Sequence, residues 1–294
     1  MFENGVVVAI RLQLALLWWK LCAFLLRMLH VQSLKPASQY FHKVVVIGDD
    51  FAAGVGDYIT IGNSAGLAQY LAPLVKRSDK VRHTWEIINA GVPGSTSADW
   101  LLNSAKQCYN RVFTSRSMGD AEIVIVMLGS AELRNPTANT VEIKKNLISI
   151  CDTLRKKGKH VCLATAASPE PLKSETATIP LNIALEEFCK STSTDDIPVV
   201  LGPRLDTYAF RRESSLAYDH FHFNSTVIVA LPRPFADLGQ LTESCISFAL
   251  DRDQSYKLLA RNAADFLIPM MTAVEWTTWK KQLNQVTYDK TLFD

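Results

Sequence analysis

Short apolar runs alternate with helical patterns along most of this chain, and that alternation constrains the fold more than any other feature. The runs are rich in β-formers and mostly continuous, which is typical of strands buried on both faces. They span residues 43–48, 86–91, 121–129, 159–166 and 197–202. Patterns with apolar residues near i, i+3 and i+4 predict helices at 65–77, 97–113, 141–158, 181–191 and 255–271. Alternation of this kind implies right-handed βαβ units and predicts a three-layer α/β/α domain with a mainly parallel sheet.

Composition sets limits on the function. The chain has 294 residues, of which 48% are hydrophobic and 20% charged, enough to bury a full core. Beyond residue 43, acidic residues slightly outnumber basic ones, so we expect no nucleic-acid partner. The six cysteines are scattered without a CxxC pair or a nearby histidine at metal-ligand spacing, so we expect reduced thiols, no metal and no cofactor.

The N-terminal stretch, residues 6–31, is the most hydrophobic of the chain. No acidic residue occurs between Asn4 and Lys43, and the polar residues within the stretch recur every seven positions at Gln13, Lys20 and Arg27. A helix would place them on one narrow stripe. A membrane-spanning helix would carry Lys20 near its centre, at a cost of about 2.5–3.5 kcal/mol.

Three interpretations of this stretch stay open: a retained membrane helix that spans the bilayer or lies at its surface, a targeting segment, and a helix packed on the domain or a partner. We expect residues 6–31 to bind a membrane or a membrane-protein partner. The organelles that this stretch suggests are the mitochondrion and the plastid. The predicted organisation is a basic hydrophobic helix at 1–41, a folded domain at 42–275 and a tail at 276–294.

Polar residues follow three of the predicted strands directly. They lie in the segments 48–51 (Gly-Asp-Asp-Phe), 89–91 (Asn-Ala-Gly) and 129–132 (Gly-Ser-Ala-Glu). In parallel sheets, sites gather at the carboxyl ends of the strands. These junctions are therefore the candidate functional site.

In this order the junctions resemble the conserved blocks of the SGNH (GDSL) hydrolase family of esterases and lipases. VVVIGDDFAAGVGD resembles the first block, INAGVPGSTSADWL the second, and IVIVMLGSAELRN the third. YDHFHFN resembles the last block, Asp-x-x-His-x-Asn, and would assign Asp219 and His222. The likeness extends over about residues 44–266, and it implies a flavodoxin-like α/β fold.

The resemblance also implies a mechanism for ester hydrolysis. A serine attacks the carbonyl, a histidine takes its proton, an aspartate orients the histidine, and three N–H donors hold the oxyanion. The positions that match the triad are Asp50, Asp219 and His222, and those that match the oxyanion hole are Asp50, Gly91 and Ala131.

Two of these positions depart from the family pattern. Asp50 stands where the nucleophilic serine is expected, and Ala131 stands where the asparagine donor is expected. An ionised aspartate only accepts hydrogen bonds, and loss of an oxyanion donor costs about 2.7–4 kcal/mol of transition-state stabilisation. We therefore expect a domain that has lost ester hydrolysis and serves as a structural, accessory or ligand-binding component of a membrane-associated assembly, with an acyl or lipid-like ligand in view.

Alternatives remain at the level of sequence. An active esterase or lysophospholipase would need another nucleophile near His222, such as Ser95 or Ser130. Asp50 itself could cap a helix at the strand end, act as a nucleophile, or join Asp49 and His222 in a metal site.

Two further points stay open. A rival alignment of the last block sets Ser247 at the aspartate position and Leu250 at the histidine position. The charged residues Glu132, Arg134 and Arg204 either line a pocket or belong to an exposed face with ion pairs.

Overall fold

A computed structural model describes residues 17–18, 21, 40–57, 66–170, 179–212, 215–216, 220–223 and 255–283. Its strands are β1 (Phe41–Gly48), β2 (Thr84–Asn89), β3 (Ile123–Met127), β4 (His160–Leu163) and β5 (Val199–Leu201). Its helices are α1 (Asp50–Ala53), α2 (Leu67–Arg77), α3 (Cys108–Phe113), α4 (Ser130–Leu133), α5 (Thr140–Lys156), α6 (Pro180–Ser191), α7 (Tyr208–Arg211) and α8 (Ser255–Leu283).

The strands form one parallel sheet in the order β2-β1-β3-β4-β5. Val45 of β1 pairs with Ile88 on one side and with Val124 on the other. The chain runs outward from β1 to β2 and then crosses to β3 on the opposite side. Because the order reverses there, the carboxyl ends of β1 and β3 form the crevice in which doubly wound sheets place their sites.

Side chains of the strands bury both faces of the sheet. Val44 and Val46 of β1 pack in a core that includes α2 and α8. Val45 and Ile47 pack in a second core with α3, α5 and α6. Each successive residue points to the opposite face, so both cores together explain the continuous apolar runs. The predicted three-layer α/β/α architecture and all five predicted strands are confirmed.

The predicted helix at 97–113 is wrong. The segment forms a 3₁₀ turn at Ser97–Trp100, an irregular stretch, and then α3. Thr96 and Asp99 cap the 3₁₀ turn reciprocally, and the indole of Trp100 donates to Ser95 Oγ at 2.9 Å. Gln107 then adopts a φ of 51°, which no right-handed helix contains. Hydrogen bonds between neighbouring polar groups therefore hold a short turn here, although the spacing of the apolar residues is that of a helix.

The last helix is longer than the sequence pattern predicts, since α8 continues from Ser255 to Leu283. Of the hydrophobic stretch 6–31, the structure describes Leu17, Trp18 and Leu21, which are helical and exposed. No helix among the described residues is long and apolar enough to cross a membrane. The predicted boundaries at 41 and 275 stay predictions.

Candidate active site

Asp49 connects the two loops that leave β1 and β3. Its carboxylate caps α1 by accepting from the Phe51 amide at 3.1 Å, and it also accepts from the Ala131 amide at 3.3 Å. The side chain is fully buried. Burial, and next the charge of Asp50, raise the pKa of Asp49 to about 7. The helix cap is thus Asp49, one residue before the position considered from the sequence, and its role is to hold the loops together.

Asp50 begins α1 and is 9% exposed. One carboxylate oxygen accepts from the Gly94 amide at 2.6 Å, and the other lies 3.3 Å from His222 Nε2. Burial opposes the charge of Asp50, but the contact and charge of His222 and the Gly94 amide hold its pKa below the usual value. The charge of Arg134 acts in the same direction. Asp50 is therefore an anion that faces His222.

Aromatic rings and a buried arginine position His222. The imidazole is 3% exposed, and its centroid lies 5.6 Å from the ring of Phe51 and 5.0 Å from that of Phe221. Arg211, itself fully buried, donates to the carbonyl of Phe221 at 2.5 Å and to that of Ser168. This guanidinium ties the His222 segment to the loop after β4.

Gly56 lets the His222 segment approach the loop after α1. It has a φ of +96°, and a Cβ at this position would lie 2.3 Å from the carbonyl oxygen of Phe223. Only glycine fits such a close approach with a positive φ. Asp219, and also Ser247 and Leu250 of the rival alignment, lie outside the described residues.

The predicted oxyanion positions surround the start of α1. A Cβ on Gly91 would lie 2.3 Å from the amide nitrogen of Ala53, so no other residue fits there. The Gly91 amide, however, donates to the side chain of Asn89 at 2.9 Å. The Ala131 amide donates to Asp49, and its methyl group has no hydrogen to donate. Two of the three expected donor positions thus offer little to an oxyanion in this arrangement.

The amide that does point into the site belongs to Gly94, which sequence reasoning missed. Pro93 and Gly94 form a turn closed by a bond from the Ser95 amide to the Val92 carbonyl at 3.1 Å. Gly94 has a φ of +69°, and the Pro-Gly pair is a recognisable turn signal. That signal predicts the turn, but its contact with Asp50 depends on the packing of β1 beside β2.

Both alternative serines make hydrogen bonds to the loops around them. Ser95 Oγ donates to the carbonyl of Gly48 at 3.1 Å and accepts from the indole of Trp100. Ser130 Oγ accepts from the amide of Ala167 at 2.9 Å. Both side chains are buried and support the loops around the strand ends.

Charged residues near the site have separate roles. The carboxylate of Glu132 accepts from the amide and hydroxyl of Ser97 at 2.9 and 2.7 Å, and burial raises its pKa. The guanidinium of Arg134 lies 4.7 Å from the ring centroid of Phe221. Arg204 pairs with Glu186 at 2.8 Å and is half-exposed. Arg134 is thus the member of this set that affects Asp50.

A metal site receives no support from these contacts. Across the part of the chain that the structure describes, no three side chains of His, Cys, Asp or Glu gather in a way that could hold a metal ion. The carboxylate of Asp49 accepts from backbone amides and is used in capping. The arrangement instead offers one ionised carboxylate and one imidazole at the switch point of the sheet.

Comparison with solved structures finds similarity to a lipolytic protein, a lipase/acylhydrolase and an acetyl esterase. A putative lipolytic protein of the G-D-S-L family from Desulfitobacterium hafniense DCB-2 is 14% identical and covers 76% of this chain and 98% of its own, with a TM-score of 0.41. A lipase/acylhydrolase from Enterococcus faecalis is 17% identical over 62% and 87%, with a TM-score of 0.41. A mutant acetyl esterase with an acetate ion is 16% identical over 79% and 99%, with a TM-score of 0.48.

A search of curated proteins gives no match. Comparison with family models matches residues 46–226 to the GDSL-like Lipase/Acylhydrolase family, a range that includes Asp50, Gly91, Ala131 and His222. The match covers more than half of the chain and ends before Ser247 and Leu250. The chain therefore belongs to the GDSL-like lipase/acylhydrolase family.

Proposed function

We propose that this domain binds an acyl or lipid-like ligand without hydrolysing esters, as an accessory component of a membrane-associated assembly. The observation that carries the proposal is the 3.3 Å contact between His222 Nε2 and the Asp50 carboxylate. A general base must face the hydroxyl that it deprotonates. Here the imidazole faces an ionised carboxylate, which has no proton to give and is already paired.

The electrostatics of the site oppose the transition state of ester hydrolysis. Two like charges about 4 Å apart repel by about 4 kcal/mol at an effective dielectric constant of about 20. Absence of the donor at Ala131 adds about 2.7–4 kcal/mol. Since each 1.36 kcal/mol is a factor of ten, the two effects together slow the reaction by about five orders of magnitude.

Support for the remaining parts of the proposal comes from the chain itself. Esterases and lipases of this family act on acyl esters, which supports an acyl or lipid-like compound as the ligand. The basic, hydrophobic stretch 6–31 supports attachment to a membrane or a membrane protein.

The test is hydrolysis of short- and medium-chain p-nitrophenyl esters by the full chain, beside Asp50→Ser and Asp50→Ser/Ala131→Asn. We expect the natural chain to be silent and the double variant to gain activity, because it restores both the hydroxyl and the missing donor. Adding His222→Ala, or separately Asp219→Ala, should remove the gained activity if these residues are the base and its orienting partner.

One result would count against the proposal, and another against the assignment of His222 and Asp219 as an intact base and its partner. Hydrolysis by the natural chain that survives Asp50→Ala would show an active esterase with another nucleophile. A natural chain that is silent, together with a well-folded double variant that is also silent, would show that the remaining triad positions are not arranged for catalysis.

A further inference from the structure

The end of α8 carries an exposed apolar stripe. The rings of Trp276 and Trp279 stack with centroids 4.9 Å apart, and the two side chains are 54% and 44% exposed. Leu283 is 54% exposed and follows at a spacing of seven and four residues, so the three side chains share one face of the helix. We call these three residues the Trp stripe.

The two charged residues that follow Glu275 in the described part of α8 are both lysines. Lys280 Nζ lies 5.5 Å from the ring centroid of Trp276, and Lys281 is exposed on the next position. After Glu275 the sequence has no acidic residue before Asp289. Tryptophan with lysine is the combination that residues at a membrane–water interface prefer, since the rings enter the headgroup region and the cations meet anionic lipids.

Immediately before the Trp stripe, α8 packs against the residues at the start of β2. Glu275, 6% exposed, accepts from the amides of Arg82 and His83 and from the indole of Trp85, which holds α8 against the start of β2. The ring of His83 in turn contacts that of Tyr40 at 4.8 Å, immediately before β1. Glu275 of α8 and Tyr40 before β1 therefore contact the same residue, His83.

We infer that the Trp stripe docks on an anionic lipid surface, as a second membrane contact beside the one proposed for residues 6–31. The stripe and that stretch carry charge of the same sign, at Lys280 and Lys281 and at Lys20 and Arg27. Packing one on the other would bring like charges together, whereas an anionic membrane attracts both. The inference goes beyond the proposed function and is independent of the chemistry at Asp50.

The experiment is co-sedimentation of the full chain with phosphatidylcholine vesicles that contain or lack phosphatidylserine. Trp276→Ser/Trp279→Ser and Lys280→Glu/Lys281→Glu should each lower partition onto the anionic vesicles about tenfold or more. The matched control is Leu102→Ser/Val141→Ser, which removes two exposed apolar residues elsewhere and should bind like the natural chain. Since the altered residues are exposed, circular dichroism should show unchanged folding.

A further variant separates the stripe from the N-terminal stretch. Leu17→Ser/Trp18→Ser weakens the contact proposed for residues 6–31. We expect it to lower partition onto anionic vesicles, as the stripe variants do, and we expect the two reductions to add when the changes are combined. Binding by both stripe variants at the natural level would overturn the inference. So would a natural chain that dimerises in solution and becomes monomeric in Trp276→Ser/Trp279→Ser with vesicle binding unchanged, because the stripe would then cover a second copy.

Discussion

Asp49→Asn should make the stability of this domain less dependent on pH. The native pKa of Asp49 is about 7, against an ordinary value of 3.8. A carboxyl with a raised native pKa contributes stability that is fully present below pH 3.8 and is lost as the pH rises through 7. Between pH 5 and pH 8, that linkage removes about 2.5 kcal/mol from the free energy of unfolding.

The variant keeps part of the native hydrogen bonding. Asparagine caps helices about as well as aspartate, so the bond from the Phe51 amide can remain. Its NH₂ group would face either that amide or the Ala131 amide, at a cost of about 1–3 kcal/mol. This cost is the same at every pH, so the difference in stability between pH 5 and pH 8 isolates the titration of Asp49.

The assay is urea unfolding of the natural chain and of Asp49→Asn at both pH values. We expect the pH 5 to pH 8 loss of stability to be smaller in the variant by about 2.5 kcal/mol. Asp79→Asn, which removes an exposed carboxyl after α2, controls for the change in net charge. Equal pH dependence in the natural chain and Asp49→Asn would refute a raised pKa at this carboxyl and the burial argument behind it.

Three further changes test the contacts that position the site and the last helix. Glu275→Ala should lower the free energy of unfolding by about 3 kcal/mol, since the carboxylate accepts from Trp85 Nε1 at 2.8 Å and from two amides, whereas Glu275→Gln should cost about half as much in the same urea assay. Gly91→Ala should destabilise the fold by more than about 2 kcal/mol in thermal unfolding, because its methyl group would meet the backbone of Ala53. Arg211→Leu should leave the carbonyls of Phe221 and Ser168 without the guanidinium donor. In the Asp50→Ser/Ala131→Asn background we expect a large loss of the gained ester hydrolysis and a smaller effect on the melting temperature measured by calorimetry.

Several features of the fold were predictable from residue patterns. The run at 43–48 is apolar at each of Val44 to Ile47, and a strand buried on both faces needs this because its side chains alternate between two cores. The prediction of one helix at 97–113 was wrong because local hydrogen bonds, and not burial of apolar residues, determine the structure of this segment. Its apolar spacing is helical, but bonds of Trp100 to Ser95 and of Asp99 to Thr96 hold a shorter turn.

At the site, the sequence alone determined which residue types follow each strand, and with them the absence of a hydroxyl at Asp50 and of a side-chain donor at Ala131. Only the tertiary structure decided which groups meet. Asp50 contacts Gly94, 44 positions away along the chain, and His222 approaches from a segment held by Arg211. Such contacts depend on the order of β2, β1 and β3 in the sheet, and no local pattern encodes that order because it is set by the burial of both faces at once.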